Sequence, residues 1–180
     1  MESAPTMKSK ILTDGFDWIE AIVFAVVFMV VIHMFIFRGV VVNGSSMVPT
    51  LTNGNRLLIS SMFYHPAKGD IVVITQPNAL DKTLIKRIIA TEGQTIDIDF
   101  TAGEVRVDGQ LLNEPYIAEP THYQFDVQFP VTVPEGCVFV MGDNRNNSTD
   151  SRSSQVGMID TRYIMGKVVF RLTGKIGVVR

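Results

Sequence analysis

Apolar positions along this chain follow two patterns. From Ala21 to Phe37 they are nearly unbroken, AIVFAVVFMVVIHMFIF, with His33 the only polar side chain. From Gly39 onward they come in short runs separated by turn residues. The first pattern predicts a helix without a polar face, and the second a domain made of strands.

At about 1.5 Å per residue, a helix over 21–37 covers roughly 26 Å. Trp18 and Arg38 at its ends lengthen that span by occupying the two interfaces. The pattern therefore predicts a transmembrane helix over residues 18–38, a short flexible tail over 1–17 and a β-rich domain over 39–180. A cleavable signal peptide fits less well: its apolar region is about 7–15 residues long and ends in a small-x-small site, whereas this run continues into FRGVVVNG. A helix buried in a soluble core would show a polar face, and this one has none. Charge does not orient the span, because Lys8 and Lys10 before it balance Arg38 and Arg56 after it.

Strands are predicted at GVVVN (39–43), RLLIS (56–60), DIVVIT (70–75), TLIKRIIAT (83–91), TIDID (95–99), EVRVD (104–108), CVFVM (137–141) and YIMGKVVFRL (163–172). Asp108-Gly109 is a hairpin signal. No stretch after residue 40 sustains a 3.6-residue period, so the domain reads as all-β, a barrel or a sandwich. Residues 113–136, with four prolines, read as a loop excursion. The apolar SMFY at 61–64 fits either a strand-edge cluster or a segment that dips into lipid.

Composition removes several function classes. The 180 residues leave room for one domain and an appendage. Three of the 16 Lys and Arg and four of the 18 Asp and Glu precede Gly39, so the domain is nearly balanced and has no basic stripe for nucleic acid. The lone Cys137 excludes an internal disulfide and a multi-cysteine metal site, and its run CVFVM predicts a buried strand position. His33, His65 and His122 lack metal-ligand spacing, and each reads as a membrane or loop histidine.

The chemistry concentrates in three segments. GSSMVPTL, 44–51, places Ser45 and Ser46 just past the apolar run. A serine hydroxyl is a poor nucleophile until a base removes its proton. The G-x-S-x-G elbow is missing and the domain has no helices to build one, which disfavours a histidine triad. A lysine serves as base only if its pKa falls from about 10.4 toward neutrality, a change of roughly 3–4 kcal/mol that burial among apolar side chains supplies. Lys68, Lys82 and Lys175 sit beside turn residues, whereas Lys86 lies within TLIKRIIAT. Alternation puts Leu84, Lys86 and Ile88 on one face of that strand, and Ile85, Arg87 and Ile89 on the other. Taken alone, Lys86 fits a side chain snorkelling from a sheet edge better than a catalytic base, and only its pairing with a candidate serine makes the catalytic reading competitive. The third segment, GDNRNNSTDSR at 142–152, is dense in hydrogen-bonding groups and follows an apolar strand, where a polar network is held rigidly.

Together these segments resemble the type I (leader) signal peptidases of bacteria. The resemblance rests on Ser46-Met47-Val48-Pro49-Thr50-Leu51, on Lys86-Arg87 within LIKRIIATEGQ, and on the complete Gly142–Arg152 box. It extends through VDGQLLNEPY (107–116) and GKVVFRL (166–172), and so covers essentially residues 18–172. It implies an antiparallel β-barrel-like catalytic domain with one N-terminal transmembrane helix, the tail inside and the domain on the extracytoplasmic side of the cell membrane. It implies a serine endopeptidase that cuts signal peptides from secretory preproteins after a small-x-small site, beside the bilayer and near the secretion translocon. Ser46 would be the nucleophile and Lys86 the general base. Ser148 would orient that lysine, and Asp150, Arg152 and Gly142 would hold the box in shape. Some relatives carry a serine two residues before the nucleophile. Gly44 stands there in this chain, so backbone N–H groups would stabilise the oxyanion, as in single-anchor Gram-positive members. Met47, Leu84 and Ile85 are candidate substrate-pocket residues by their closeness to the pair. Eight residues separate Phe37 from Ser46, at most about 30 Å of extended chain. The chemistry requires no metal or cofactor.

Two other readings fit parts of the pattern. The self-cleaving Ser/Lys repressors share a similar fold, but they carry a DNA-binding or regulatory arm where this chain has an apolar helix. A non-catalytic, membrane-tethered binding domain would have no use for all three segments at once.

Overall fold

The computed structural model describes residues 7–35 and 37–179, and divides into a helical unit, Met1–Arg38, and a β unit, Gly39–Arg180. Helix α1 spans Met7–Phe35. It therefore takes in residues 7–17, which the sequence reading assigned to a flexible tail, and it stops before Arg38. The apolar run marks only the unbroken part of the helix. Past Pro5, MKSKILTDGFDW contains no proline, and main-chain hydrogen bonds continue through its polar residues. Residues 1–6 and the side chains of Lys8, Lys10 and His33 lie outside what is described. Among the described residues, no helix is long and apolar enough to cross a membrane. The side chains described on α1 are exposed, Trp18, Phe24, Phe28 and Met29 among them.

The strands are β1 (Phe37–Val41), whose first two residues precede the β unit, then β2 (Arg56–Ser60), β3 (Ile71–Ile74), β4 (Leu84–Thr91), β5 (Thr95–Asp99), β6 (Glu104–Val107), β7 (Gln110–Leu111), β8 (Val131–Thr132), β9 (Cys137–Met141), β10 (Ile159–Asp160), β11 (Ile164–Arg171) and β12 (Gly177–Val178). The larger sheet runs β1-β2-β11-β3-β4-β9-β10, with β12 beside β11, and the smaller runs β7-β6-β5-β8. All the described pairings with a register are antiparallel. The barrel-like expectation is met only in part. Among the described residues no ladder joins β1 to β10, so the large sheet is an open path rather than a closed ring. Register irregularities between Ile88 and Ala90 and within β11 bend that path.

Both faces of the large sheet are covered. On one side Ile71 and Val73 pack with Met47, Leu51, Leu57 and Ile59; on the other, Val72, Ile74, Leu84 and Ile88 pack with Val138 and Val140. A third cluster, around Ile89, Ile96, Val105, Phe139 and Met141, fills the space beside the small sheet. Each fully buried aliphatic side chain stabilises the fold by about 1.5–3 kcal/mol. Strand β4 is thus an interior strand with β3 on one side and β9 on the other, which fixes its position. Cys137 departs from expectation: it starts β9 but is only half-buried, because it occupies the strand end where the core thins.

Candidate active site

Ser46 sits in a turn that follows β1, and Lys86 sits within β4. The fold brings them together: Lys86 Nζ donates to Ser46 Oγ at 2.7 Å. Lys86 is only 3% exposed. That burial pushes its ammonium down to about 8; the charge of Arg152 works in the same direction, while Asp150 and Asp143 oppose it. A snorkelling edge lysine would keep its head in water, and this one does not.

The adjacent serines have different surroundings. The Ser45 hydroxyl accepts from Asn147 Nδ2 at 3.2 Å, and its carbonyl accepts from Asn144 Nδ2 at 3.1 Å and from the Val48 N–H at 3.1 Å. The Ser46 carbonyl accepts from the Asn144 N–H at 3.0 Å. Among the described residues, no acceptor takes the Ser46 amide proton. Gly44 holds a φ of +106°, which disfavours any side chain, and its own N–H donates to Asn53 Oδ1 at 2.9 Å. The turn therefore requires glycine at 44, and the Gly44 amide is already engaged.

The box supports the pair from below. Arg87 is paired with Met141 across β4 and β9, so Gly142 and Asp143 emerge beside Lys86. Gly142 donates its N–H to Asp150 Oδ2 at 3.0 Å. A Cβ there would fall 2.2 Å from Ser148 Oγ and 2.5 Å from the Ser46 carbonyl, so only glycine fits between them. Asp150 is fully buried and ion-paired to Arg152, at 2.8 Å from Nε. Burial pushes its carboxyl up, but the Arg152 hydrogen bonds and charge, the Lys86 charge and the Gly142 amide outweigh this and hold it below the usual carboxylate range. Ser148 differs from the expected arrangement in its visible bond: its hydroxyl donates to Asp150 Oδ2 at 2.8 Å, while the lysine bonds Ser46. It joins the site through Asp150.

Three further residues had no individual role in the sequence reading, although Asp143 lies in the 142–152 box. Asp143 receives two bonds from Arg87, at 2.8 and 2.7 Å, and one from the Thr50 hydroxyl, so it ties β4 to the nucleophile turn. Glu114 forms a bidentate pair with Arg145 at 2.6 and 2.8 Å, clamping the 113–136 excursion onto the box. Tyr116 lies under Arg87, 3.9 Å from guanidinium carbon to ring centroid. The 142–152 box, with Asp143 and Arg145, hinted at a polar network, but its partners Arg87, Glu114 and Tyr116 are fixed only by the folded topology.

A groove of about 720 Å³ opens over the pair. Met47, Leu84 and Ile85 all line it, together with Val40, Val42 and Met165. Met47 and Leu84 are otherwise buried in the core, so they present only part of their surface to the groove. Among the described residues, no group of His, Cys, Asp and Glu is arranged to hold a metal ion.

A family model described as signal peptidase, peptidase S26, matches residues 15–173. The chain belongs to the peptidase S26 family. A probable signal peptidase I of Synechocystis is 39% identical over 163 residues, covering 85% of this chain and 80% of its own length. Signal peptidase I S of Bacillus subtilis is 35% identical over 181 residues, covering 94% of each. A crystal structure of a signal peptidase I from Enterococcus faecalis is also similar, with 26% identity and a TM-score of 0.47, over 58% of this chain and 97% of that one. Within the S26 match fall both serines, Lys86 and the whole 142–152 box.

Proposed function

We propose that this S26 peptidase removes signal peptides from secretory preproteins after a small-x-small sequence, with Ser46 as nucleophile and Lys86 as general base. The observation that carries the dyad is the 2.7 Å bond between a buried lysine and a serine hydroxyl in the same groove. With Lys86 neutral, the bond reverses: the Ser46 hydroxyl donates to Nζ as Oγ attacks the scissile carbonyl carbon. Nζ takes the proton, the carbonyl becomes a tetrahedral oxyanion, and the new ammonium returns the proton to the leaving amine as the C–N bond breaks. An ester on Ser46 remains. Lys86 then takes a proton from water, whose oxygen attacks the ester, and the proton passes back to Ser46 as the carboxylic product leaves.

The unengaged Ser46 amide supports a main-chain oxyanion donor. Asp150, Arg152, Ser148 and Gly142 act as positioning residues beneath the lysine. Met47, Leu84 and Ile85 give the groove an apolar wall beside the nucleophile, which suits short uncharged side chains on the substrate.

The same reading places the protein at the cell membrane as a single-pass protein, with the catalytic domain outside. Support comes from the apolar run Ala21–Phe37 and from the exposure of the side chains described in its first part, residues 21–30, where lipid is the solvent that matches them. Trp18 and Arg38 flank the run at interfacial positions and make up for its modest length. A substrate anchored in that bilayer by its own signal peptide presents its cleavage site to the same surface.

The two serines give the test. A preprotein in lipid vesicles is incubated with wild type, Ser45→Ala and Ser46→Ala, and the product's new N-terminus is sequenced. Wild type and Ser45→Ala are expected to cut after a small-x-small site and Ser46→Ala to leave the precursor intact. Cleavage by Ser46→Ala at the wild-type rate would refute the assignment.

A further inference from the structure

Lys82 takes no part in the proposed chemistry, yet it lines the groove that opens over the dyad. Among the described lining residues, Lys82 and Lys86 are the only charged ones; the rest are aliphatic, glycine or small and polar, Thr83 and Asn43 among the last. Lys86 bonds Ser46. Lys82 is exposed, and among the described residues its ammonium has no carboxylate within ion-pairing distance. Asp81 precedes it but is not part of the groove wall.

The turn that carries Lys82 is firmly held. Asn78 Nδ2 donates to the Lys82 carbonyl at 2.8 Å and to the Gln76 carbonyl at 2.9 Å, while Asn78 Oδ1 accepts from the Leu80 N–H at 3.0 Å. The Ala79 N–H donates to the Gln155 carbonyl at 3.1 Å, which ties the turn to the segment after the 142–152 box. Only the lysine side chain is left to be ordered when a partner binds, which keeps the entropic cost of that contact small.

Topology fixes which end of the groove Lys82 occupies. The bonds Val42 N–H to Asn55 O and Gly54 N–H to Val42 O make β1 antiparallel to β2, and the pairs β2–β11, β11–β3 and β3–β4 are antiparallel as well. After these four reversals β1 and β4 run in the same direction. The wall from 39 to 46 and the wall from 82 to 86 therefore both end at the dyad, and both begin at the far end, with Gly39 on one side and Lys82 on the other. Gly39 is the first residue of the β unit, next to the chain that leads from α1. A preprotein held in the bilayer by its own signal peptide enters the groove at that end and leaves it past Ser46. At about 3.3 Å per residue, the stretch from Lys82 to Lys86 covers about 13 Å, which an extended substrate spans in about four residues. The flexible four-carbon stem of lysine extends this reach by about one or two residues.

We propose that Lys82 is a specificity-determining residue that favours preproteins with an Asp or Glu about four to six residues before the scissile bond. The inference rests on the signal-peptide reading of the groove, and the test separates the two. Preproteins in detergent micelles carry either Asp or Lys, at one position at a time along the segment before the cut and, as a control, after it. They are cleaved at low salt by full-length wild type, Lys82→Gln and Lys82→Glu. The readout is the ratio of kcat/KM for the Asp form over the Lys form, which a general loss of activity in a variant does not alter. Within the proposed window, wild type is expected to give a ratio of about five, the size of an exposed ion pair, that falls toward one at high salt. Lys82→Gln is expected to bring the ratio to about one, and Lys82→Glu to bring it below one. A ratio that is the same in all three enzymes, or a wild-type preference confined to residues after the cut, would overturn the inference and leave the proposed function standing. Failure of wild type to cut any of these preproteins after a small-x-small site would refute the proposed function itself, and the inference with it.

Discussion

At the scale of single residues, the site depends on a lysine that the fold makes reluctant to carry charge. Its pKa near 8 lies below the ordinary 10.5 of a lysine, so between those values the unfolded chain holds more protons than the folded one. The stability this group contributes therefore rises with pH through that window and is lowest below pH 8. Lys86→Met is expected to abolish activity and to stabilise the protein at pH 7 by about 3 kcal/mol, with the gain shrinking as pH approaches 10. Urea denaturation at pH 7 and pH 10 measures it, and a variant less stable at pH 7 would contradict the burial argument. The serine pair and Lys86 stood out in the sequence because each breaks its surroundings, a serine pair beside an apolar run and a lysine inside an apolar strand, but the choice of Ser46 over Ser45 and the role of Lys86 came from the resemblance to signal peptidases. What Ser45 does was not legible, since its partners Asn144 and Asn147 lie about a hundred residues away.

At the scale of elements, β4 and β9 bring the three segments together. Their pairing of Arg87 with Met141 sets the start of the box beside Lys86, and Asp143 then links Arg87 to Thr50 in the nucleophile turn. Asp143→Asn leaves a buried guanidinium facing a neutral amide. A loss of about 3–5 kcal/mol is expected, together with reduced turnover as the turn loosens. A change below about 1 kcal/mol by chemical denaturation would show that the pair does not hold these elements together. The eight long strands were readable from alternation and turn residues, and RLLIS, TIDID and CVFVM end where the sequence predicts. Of the two-residue strands, β7 was announced by the Asp108-Gly109 hairpin signal, whereas β8, β10 and β12 were not, because two residues carry no period and their pairing depends on what lies alongside. No local pattern announces the register irregularities at Ile88–Ala90 and in β11 either.

At the scale of the whole molecule, an apolar helical unit is joined to a β unit with its own buried clusters. The apolar run was plain in the sequence, whereas the helix's extension back to Met7 was hidden by the polar residues it passes through. The division into units predicts separable roles. Removing residues 1–36 should leave hydrolysis of a soluble peptide within a few-fold of wild type, while processing of a preprotein in vesicles falls about 100-fold, as expected when a shared surface no longer concentrates enzyme and substrate. Equal activity on the vesicle-bound substrate would show that the helix is not needed for access to it.

The central claim is that Lys86 takes the Ser46 proton, and its most direct test is the pH dependence of kcat/KM for preprotein cleavage from pH 6 to pH 10, in wild type and Lys86→Ala. The wild-type profile is predicted to rise with a midpoint near pH 8, as the buried ammonium loses its proton. Lys86→Ala is predicted to lose activity by about 10²–10⁴-fold, with no limb at that pH. An identical rising limb in Lys86→Ala, or wild-type activity that is flat across the range, would contradict the dyad.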